Sequence, residues 1–317
     1  MMVWALCGLG LLILLLAGDA LVKGAVNLSL RVGVPALIVS LTIVAFGTSA
    51  PELLIAIKAA LDGVPGIALG NVVGSNTANI LLVLGIPAMI AVFHTSECDT
   101  RKTYVFMMGA SLLFIALAFT GTFVWWTALV LLGALALVLL DAFREAMAHR
   151  RDAKAAAVEE EEVEGADPDM PWWKIVMYLL LGLVGLPLGA DLLVDNATII
   201  AKTYDVSDEI IGLTLVAIGT SLPELATTVM AAIRRQADVA LGNVIGSNMF
   251  NLLAIIGVAG LIAPIDVADE FLQFDLWVML AASALLFPFV FLSWNITRLW
   301  GILLTALYVS YVAFLLI

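Results

Sequence analysis

Two glutamates, Glu52 and Glu224, stand in otherwise apolar, uncharged runs and are the residues best placed to do chemistry. Each follows a Gly-Thr-Ser-X-Pro stretch: Gly47, Thr48, Ser49, Ala50, Pro51 in one case and Gly219, Thr220, Ser221, Leu222, Pro223 in the other. An ionised carboxylate at such a depth costs a few kcal/mol or more unless something compensates it. Neither acid has a basic residue facing it in its own stretch, so the compensation is a bound cation or a proton. The flanking residues suit a cation. Glycine relaxes the backbone and proline brings no amide donor, so carbonyls one turn before Pro51, around Gly47, lose their partner. A helix restarting there has Ser49 or Ala50 near its cap and Pro51 near its first position, where proline is best tolerated. Freed carbonyls, two hydroxyls and a carboxylate then lie together as an oxygen-rich site, in a place that must face protein or water, not lipid.

The elements that position these acids are duplicated. Gly47 to Asn79, GTSAPELLIAIKAALDGVPGIALGNVVGSNTAN, recurs as Gly219 to Asn251, GTSLPELATTVMAAIRRQADVALGNVIGSNMFN, at one constant offset and without a gap. Ser75 and Asn79 are four apart and share a helix face, as do Ser247 and Asn251. Gly70 and Gly74 let their helix approach a neighbour closely. A small-residue packing seam accounts for the glycines. It does not account for amide and hydroxyl side chains in a hydrophobic run, each of which needs a polar partner.

Composition sets the solvent. At 63% hydrophobic and 13% charged, with a mean hydropathy of +1.12, the 317 residues read as an all-α polytopic membrane protein and exclude a soluble globular domain. Ten stretches come near the ~20 residues needed to cross a bilayer: Val3 to Leu30, Val34 to Ala60, Pro65 to Phe93, Thr103 to Thr120, Phe123 to Ala142, Trp172 to Ala201, Val206 to Ile233, Val239 to Ile262, Phe271 to Leu292 and Ile296 to Leu316. The first resembles a secretory core, with Ala17, Gly18 and Ala20 as small residues. It lacks a basic leader, and the repeat carries Gly18-Asp19 onto Ala190-Asp191, so it reads as a span. With the N-terminus outside, the cytoplasmic loops hold Arg31, Arg101, Lys102, Arg144, Arg150, Arg151, Lys154, Arg234, Arg235 and Arg298, and the external loops hold only Lys58 and Lys202. Five helices is an odd number, so the second half enters from the opposite face. The expected organisation is an inverted five-helix repeat over residues 1–142, a cytoplasmic linker over 143–171 and a second repeat over 172–317. Inverted repeats with matching motifs are a signature of secondary transporters, whose substrates sit near the midplane at the repeat interface.

On these motifs the chain resembles the sodium/calcium exchanger family within the cation/Ca2+ antiporters, in its prokaryotic ten-helix form: GTSxPE followed by GNxxGSNxxN in both halves is that family's alpha-repeat pattern. The resemblance implies a cluster of four ion sites between the second, third, seventh and eighth helices. Glu52 and Glu224 would be the central acidic ligands, and Thr48, Ser49, Thr220 and Ser221 would give hydroxyl or carbonyl oxygens. Ser75 and Ser247 would add hydroxyls, Asn79 and Asn251 amide oxygens, and Ala45 and Ala217 backbone carbonyls at the outer sodium sites. Several family members carry an aspartate where this chain has Asn251, so only two carboxylates serve the cluster here. The function implied is Na+/Ca2+ antiport by alternating access in the cytoplasmic membrane. Ca2+ and Na+ bind as substrates, the lipid bilayer is the surroundings, and no cofactor, nucleic acid or second subunit is required.

Other classes compete. A proton-driven Ca2+ antiporter shares the architecture, because both glutamates can carry protons. A channel is a further possibility that counterflow experiments distinguish. An intramembrane enzyme finds no serine-histidine or paired-aspartate constellation in the helices, and His94 and His149 lie in loops. The acidic run Glu159 to Glu164 reads as a solvated segment, Cys7 and Cys98 as a core and a loop thiol, and Trp125, Trp126, Trp172, Trp173 and Trp300 as interfacial anchors. Glycines in the first helix and around Pro187 in the sixth suit those two helices to sliding. Asp19 is set to pair with Lys23 one turn on, whereas Asp191 has Asp195 there and so faces water.

Overall fold

The computed structural model describes residues 2–95, 98–155, 167, 169–204 and 217–315. Residues 206–216, which open the expected seventh span, and the acidic run Glu159 to Glu164 lie outside the described residues. The helices are α1 (Met2–Val32), the bent pair α2 (Ala36–Thr48) and α3 (Ala50–Leu61), α4 (Gly66–Ile90), α5 (Arg101–Ala118), α6 (Trp125–Ala155), α7 (Trp172–Thr203), α8 (Ala217–Thr220), α9 (Leu222–Ile233), α10 (Ala237–Ile262), α11 (Phe271–Phe291) and α12 (Arg298–Leu315). Among the described residues, eight helices are long and apolar enough to cross a membrane, and the pair α2 and α3, bent by 44°, makes a ninth. The expected tenth is represented by the short helices α8 and α9 alone.

One boundary differs from expectation. The fifth span does not stop at Ala142 but continues as α6 to Ala155, into the segment read as linker. Its continuation is rich in alanine and arginine, which favour helix whether or not lipid surrounds them.

Burial divides the helices into layers. In α4 and α10, 78% of the spanning residues are buried, against 22% in α6 and 17% in α12, so the two GNxxGSN helices form the centre and α6 and α12 the rim. A large apolar cluster surrounds this centre. A second, smaller one, built from Leu14, Ala17, Leu21, Ala25, Leu186 and Ala190 with Val39, Val44 and Ala226, joins α1 and α7 to the broken helices. The core is tied on both faces by paired loop segments. Strand β1 (Thr122–Phe123) pairs antiparallel with β2 (Ile265–Asp266), matching Phe123 with Ile265, and an isolated bridge joins Phe93 to Ile296. Phe93 and Ile265 occupy equivalent positions of the repeat, so each half contributes to a clasp of the same kind.

The long helices α1 and α7 lie against each other along most of their length. Contact is backbone to backbone because glycines remove the side chains between them. A Cβ on Gly10 would sit 2.7 Å from the Leu193 amide nitrogen, and one on Gly182 would sit 2.5 Å from the Leu21 Cβ and 2.9 Å from its Cα. In a membrane, where lipid tails are as apolar as leucine, such close packing replaces the hydrophobic drive between helices. Gly182→Ala is therefore expected to overpack this seam and lower stability by about 1–3 kcal/mol, read as a lower unfolding midpoint of the detergent-solubilised protein. Gly133→Ala, where a Cβ meets nothing within 4 Å, is expected to leave the midpoint unchanged or slightly raised.

Candidate cation-binding site

The proline motif breaks the helix where the sequence places the break. In the first half, α2 ends at Thr48, Ser49 takes the cap position with ψ near 5°, and α3 starts at Ala50 with Pro51 in its first turn. The second half repeats this: α8 ends at Thr220, Ser221 caps with ψ near 3°, and Pro223 lies in the first turn of α9. Glu52 and Glu224 occupy the same first turns. Each carboxylate therefore sits at the positive end of one half-helix, close to the carbonyl end of the other. Both are fully enclosed, at 1% and 0% exposure, and among the described residues no ion pair reaches either.

The two breaks meet. Ser49 Oγ donates to Glu224 Oε1 across the halves at 3.4 Å, and the Glu224 charge lies within coulombic range of Glu52. Thr48 Oγ1 donates to Asn243 Oδ1 at 3.2 Å and lies 3.4 Å from Ser247 Oγ. Thr48, Ser49, Glu52, Glu224 and Ser247 are thus brought to one place. Ser75 and Asn79 are buried on α4, Asn251 on α10 and Ser221 at the second break, where Thr220 also stands. Ala45 is buried, and its carbonyl accepts from the Ser49 amide at 3.0 Å and lies 3.3 Å from Thr48 Oγ1. Ala217 opens α8.

The polar atoms that lack a partner identify the chemistry. Glu52 Oε2, Glu224 Oε2, Asn79 Oδ1, Asn251 Oδ1, Asn251 Nδ2 and Ser221 Oγ are all buried without a hydrogen bond. An unsatisfied buried polar atom costs about 1–3 kcal/mol, and more when charged, so a folded protein does not collect six by accident. Five of them are oxygens, the ligand type that hard cations such as Ca2+ and Na+ require.

Four residues of the site were not among those expected: Asn71, Asn76, Asn243 and Asn248. Asn71 Nδ2 donates to the Glu52 carbonyl at 3.4 Å, and Asn243 Nδ2, its counterpart in the second repeat, to the Glu224 carbonyl at 3.5 Å, so each pins a half-helix to the helix that follows it. Asn76 and Asn248 face each other across the repeat axis. The Nδ2 of Asn76 donates to the Asn248 carbonyl at 3.3 Å, and the Nδ2 of Asn248 to the Asn76 carbonyl at 3.4 Å. The two also approach sulfurs at equivalent positions, Met279 and Met107. Asn248 Oδ1 accepts from Asn79 Nδ2 at 3.0 Å, which turns the Asn79 oxygen the other way. The signal was the asparagine content of GNxxGSNxxN in an apolar run, which leaves open which amides bind and which position the binders. A further feature has no motif: the helices loosen to π geometry over Asn79–Val83 and Phe250–Ile255, so Asn79 and Asn251 sit at the start of the two loosened turns. Such bulges recur at functional sites because they shift carbonyls and side chains off the α register.

Comparison with known proteins agrees with this geometry. The family described as "Sodium/calcium exchanger protein" matches residues 2–143 and 174–317. The sodium/calcium exchanger MaX1 of Methanosarcina acetivorans is 33% identical over 344 aligned residues, covering 97% of this chain and 96% of that protein. The inner membrane protein YrbG of Escherichia coli is 33% identical over 318, covering 98% and 96%. The solved structure of the sodium-calcium exchanger NCX_Mj soaked with 2.5 mM Na+ and 1 mM Sr2+ superposes with a TM-score of 0.82 at 31% identity, over 99% of this chain and 98% of that one. With the duplicated break, the paired buried carboxylates and a match over nearly its whole length, this chain belongs to the sodium/calcium exchanger family: it is a multi-pass membrane transporter, a cation/Ca2+ antiporter and not an enzyme.

Proposed function

We propose that the chain exchanges Na+ for Ca2+ by alternating access, with both ions bound in turn between the repeats. The observation that carries this is the set of buried, unpartnered oxygens around Glu52 and Glu224. Two carboxylates are neutralised by one Ca2+ or by two monovalent cations, so the loads compete for one place. An empty site would leave two charges in a low-dielectric interior, at a cost of several kcal/mol per ion. Movement between the two faces is then open to the loaded carrier and closed to the empty one, which is the condition for counter-transport.

The ligands in this reading are Glu52 and Glu224 with Thr48, Ser49, Thr220, Ser221, Ser75, Ser247, Asn79 and Asn251, and the carbonyls of Ala45 and Ala217 at the outer positions. The repeats are residues 1–142 and 172–317, joined by a linker at 143–171. The protein resides in the cytoplasmic membrane with its N-terminus outside and that linker inside. The charge distribution supports this orientation, and the inner-membrane description of YrbG supports the compartment. It works as a monomer without a cofactor.

Glu52→Gln and Glu224→Gln each leave a divalent ion facing a single negative charge. Either is expected to reduce Na+-dependent 45Ca2+ uptake into proteoliposomes by about 100-fold or more. Uptake that survives both substitutions would remove the carboxylates from the site. The same assay at clamped pH, with and without a Na+ gradient, separates Na+ coupling from H+ coupling. Asn248→Ala frees the Asn79 amide to rotate, and is expected to weaken Ca2+ binding about tenfold, as measured by calorimetric titration, with the carboxylates intact.

A further inference from the structure

The repeat relates the two halves of this protein closely, and one departure from it, outside the cation site, changes the charge of a whole cluster. In the first half, Asp19 of α1 is held by two cations: Lys23 one turn on, at 3.2 Å, and Arg234 at the end of α9, whose Nε and Nη2 both lie 2.5 Å from Asp19 Oδ1. All three side chains are largely shielded, at 32% exposure or less. The positions equivalent by the repeat carry Asp191 for Asp19, Asp195 for Lys23 and, at the end of α3, Asp62 for Arg234. Three acids replace an acid and two bases. Among the described residues, Asp62, Asp191 and Asp195 form no ion pair, and all three are exposed.

Packing follows the charges. Helix α1 lies along α9, and a Cβ on Gly18 would sit 2.9 Å from the Ala226 carbonyl oxygen, so the two backbones touch. The equivalent pair, α7 and α3, has no comparable packing. Ala226 is 7% exposed, whereas Leu54, its counterpart on α3, is 68% exposed. One flank of the cation site is thus covered by a helix tied down by an ion-paired cluster, and no described helix covers the flank related to it by the repeat.

We propose that Asp19, Lys23 and Arg234 are positioning residues of the transport cycle. Their cluster fastens α1 across α9 and shuts the entrance on the Arg234 face, while the acids at the equivalent positions repel and give the other entrance no such fastening. The carrier without ions therefore rests with its site open to the Asp62 face. The inference builds on the antiport reading above, and the proposed orientation makes the Arg234 face cytoplasmic. A resting bias of this kind lowers apparent affinity on the disfavoured side, because the ion must first draw the carrier into the state open to it.

Vesicles of defined sidedness test this. Arg234→Gln is expected to lower the Ca2+ concentration for half-maximal exchange on the Arg234 face by about threefold to fivefold, the upper part of the range for an ion pair of this exposure, and to leave the opposite face within about twofold. Asp62→Arg, at an exposed position, sets a cation where closure would bring Asp191 and should shift the balance the same way by an independent route. Equal changes on both faces, or no change in either variant, would overturn the proposal. A readout that needs no transported ion separates it from the functional reading: spin labels on the exposed residues Leu30 of α1 and Ile233 of α9 should show a second distance population in Arg234→Gln. A single unshifted distance would count against the latch even if Ca2+ exchange is confirmed. A second population in a protein that carries no Ca2+ would uphold the latch and sink the antiport reading instead.

Discussion

Two carboxylates buried without a basic partner are the constraint around which the chain is built. Transfer of one such charge from water costs several kcal/mol even after the protein relaxes, and here two lie within coulombic range of each other. The broken helices offset part of this cost. Each acid occupies the first turn of a helix, where unpaired amide groups and the macrodipole favour negative charge by up to about 2 kcal/mol in a partly buried setting. That is too little to balance the pair. The remainder needs a compensating positive charge, and the oxygens left unpartnered around the acids are of the type that hard cations require.

The same constraint accounts for the antiparallel duplication. One Gly-Thr-Ser-X-Pro-Glu break supplies one carboxylate, two hydroxyls and a few freed carbonyls, which is half a coordination shell for a cation of six to eight ligands. Two breaks entering from opposite faces bring twice that set of oxygens to the depth where they meet. The amides of Asn76 and Asn248, each bonded to the other's carbonyl, hold the central helices in register at the axis, and the paired loop segments at Phe123 and Phe93 clasp the core on its two faces. What remains free of these ties is the pair α1 and α7, joined to the core through a small cluster of aliphatic and alanine side chains and, for α1, through the Asp19–Arg234 ion pair.

Much of this was legible because the physics is local. A proline behind a Gly-Thr-Ser run can start a helix and cannot continue one, so a break with its cap at Ser49 or Ala50 followed from chain chemistry, and the structure puts the cap at Ser49 and, in the second half, at Ser221. An acid in an apolar run is likewise anomalous whatever surrounds it. The π turns at Asn79 and Asn251 were not legible, because the extra residue is accommodated by the neighbours that pack on the helix and leaves no compositional mark. Nor was the division of labour among the asparagines. Asn76 and Asn79 are one turn apart on α4, and which of them meets the opposing backbone is decided by how α4 crosses α10. The extension of α6 to Ala155 was missed for a different reason: hydropathy locates the edge of the lipid, and a helix made of good helix formers passes that edge without ending.

In the proposed cycle, Asn251 sets the charge balance. Both atoms of its amide are buried without partners, so its oxygen is available to a cation while its contribution to net charge is zero. Where the family resemblance implies an aspartate in several members, this chain offers a dipole, and the site closes at two negative charges. One Ca2+ then leaves a neutral complex and so do two Na+, which makes either complex the least costly species to move through the low-dielectric interior. A third Na+ would leave one positive charge in transit, a step that a membrane potential drives with about 2.3 kcal/mol per 100 mV. The amide in place of a carboxylate therefore ties ion stoichiometry directly to voltage sensitivity. Exchange that ignores the membrane potential identifies the neutral pair of loads, and exchange that follows it requires a third cation to be held by oxygens that carry no charge to meet it.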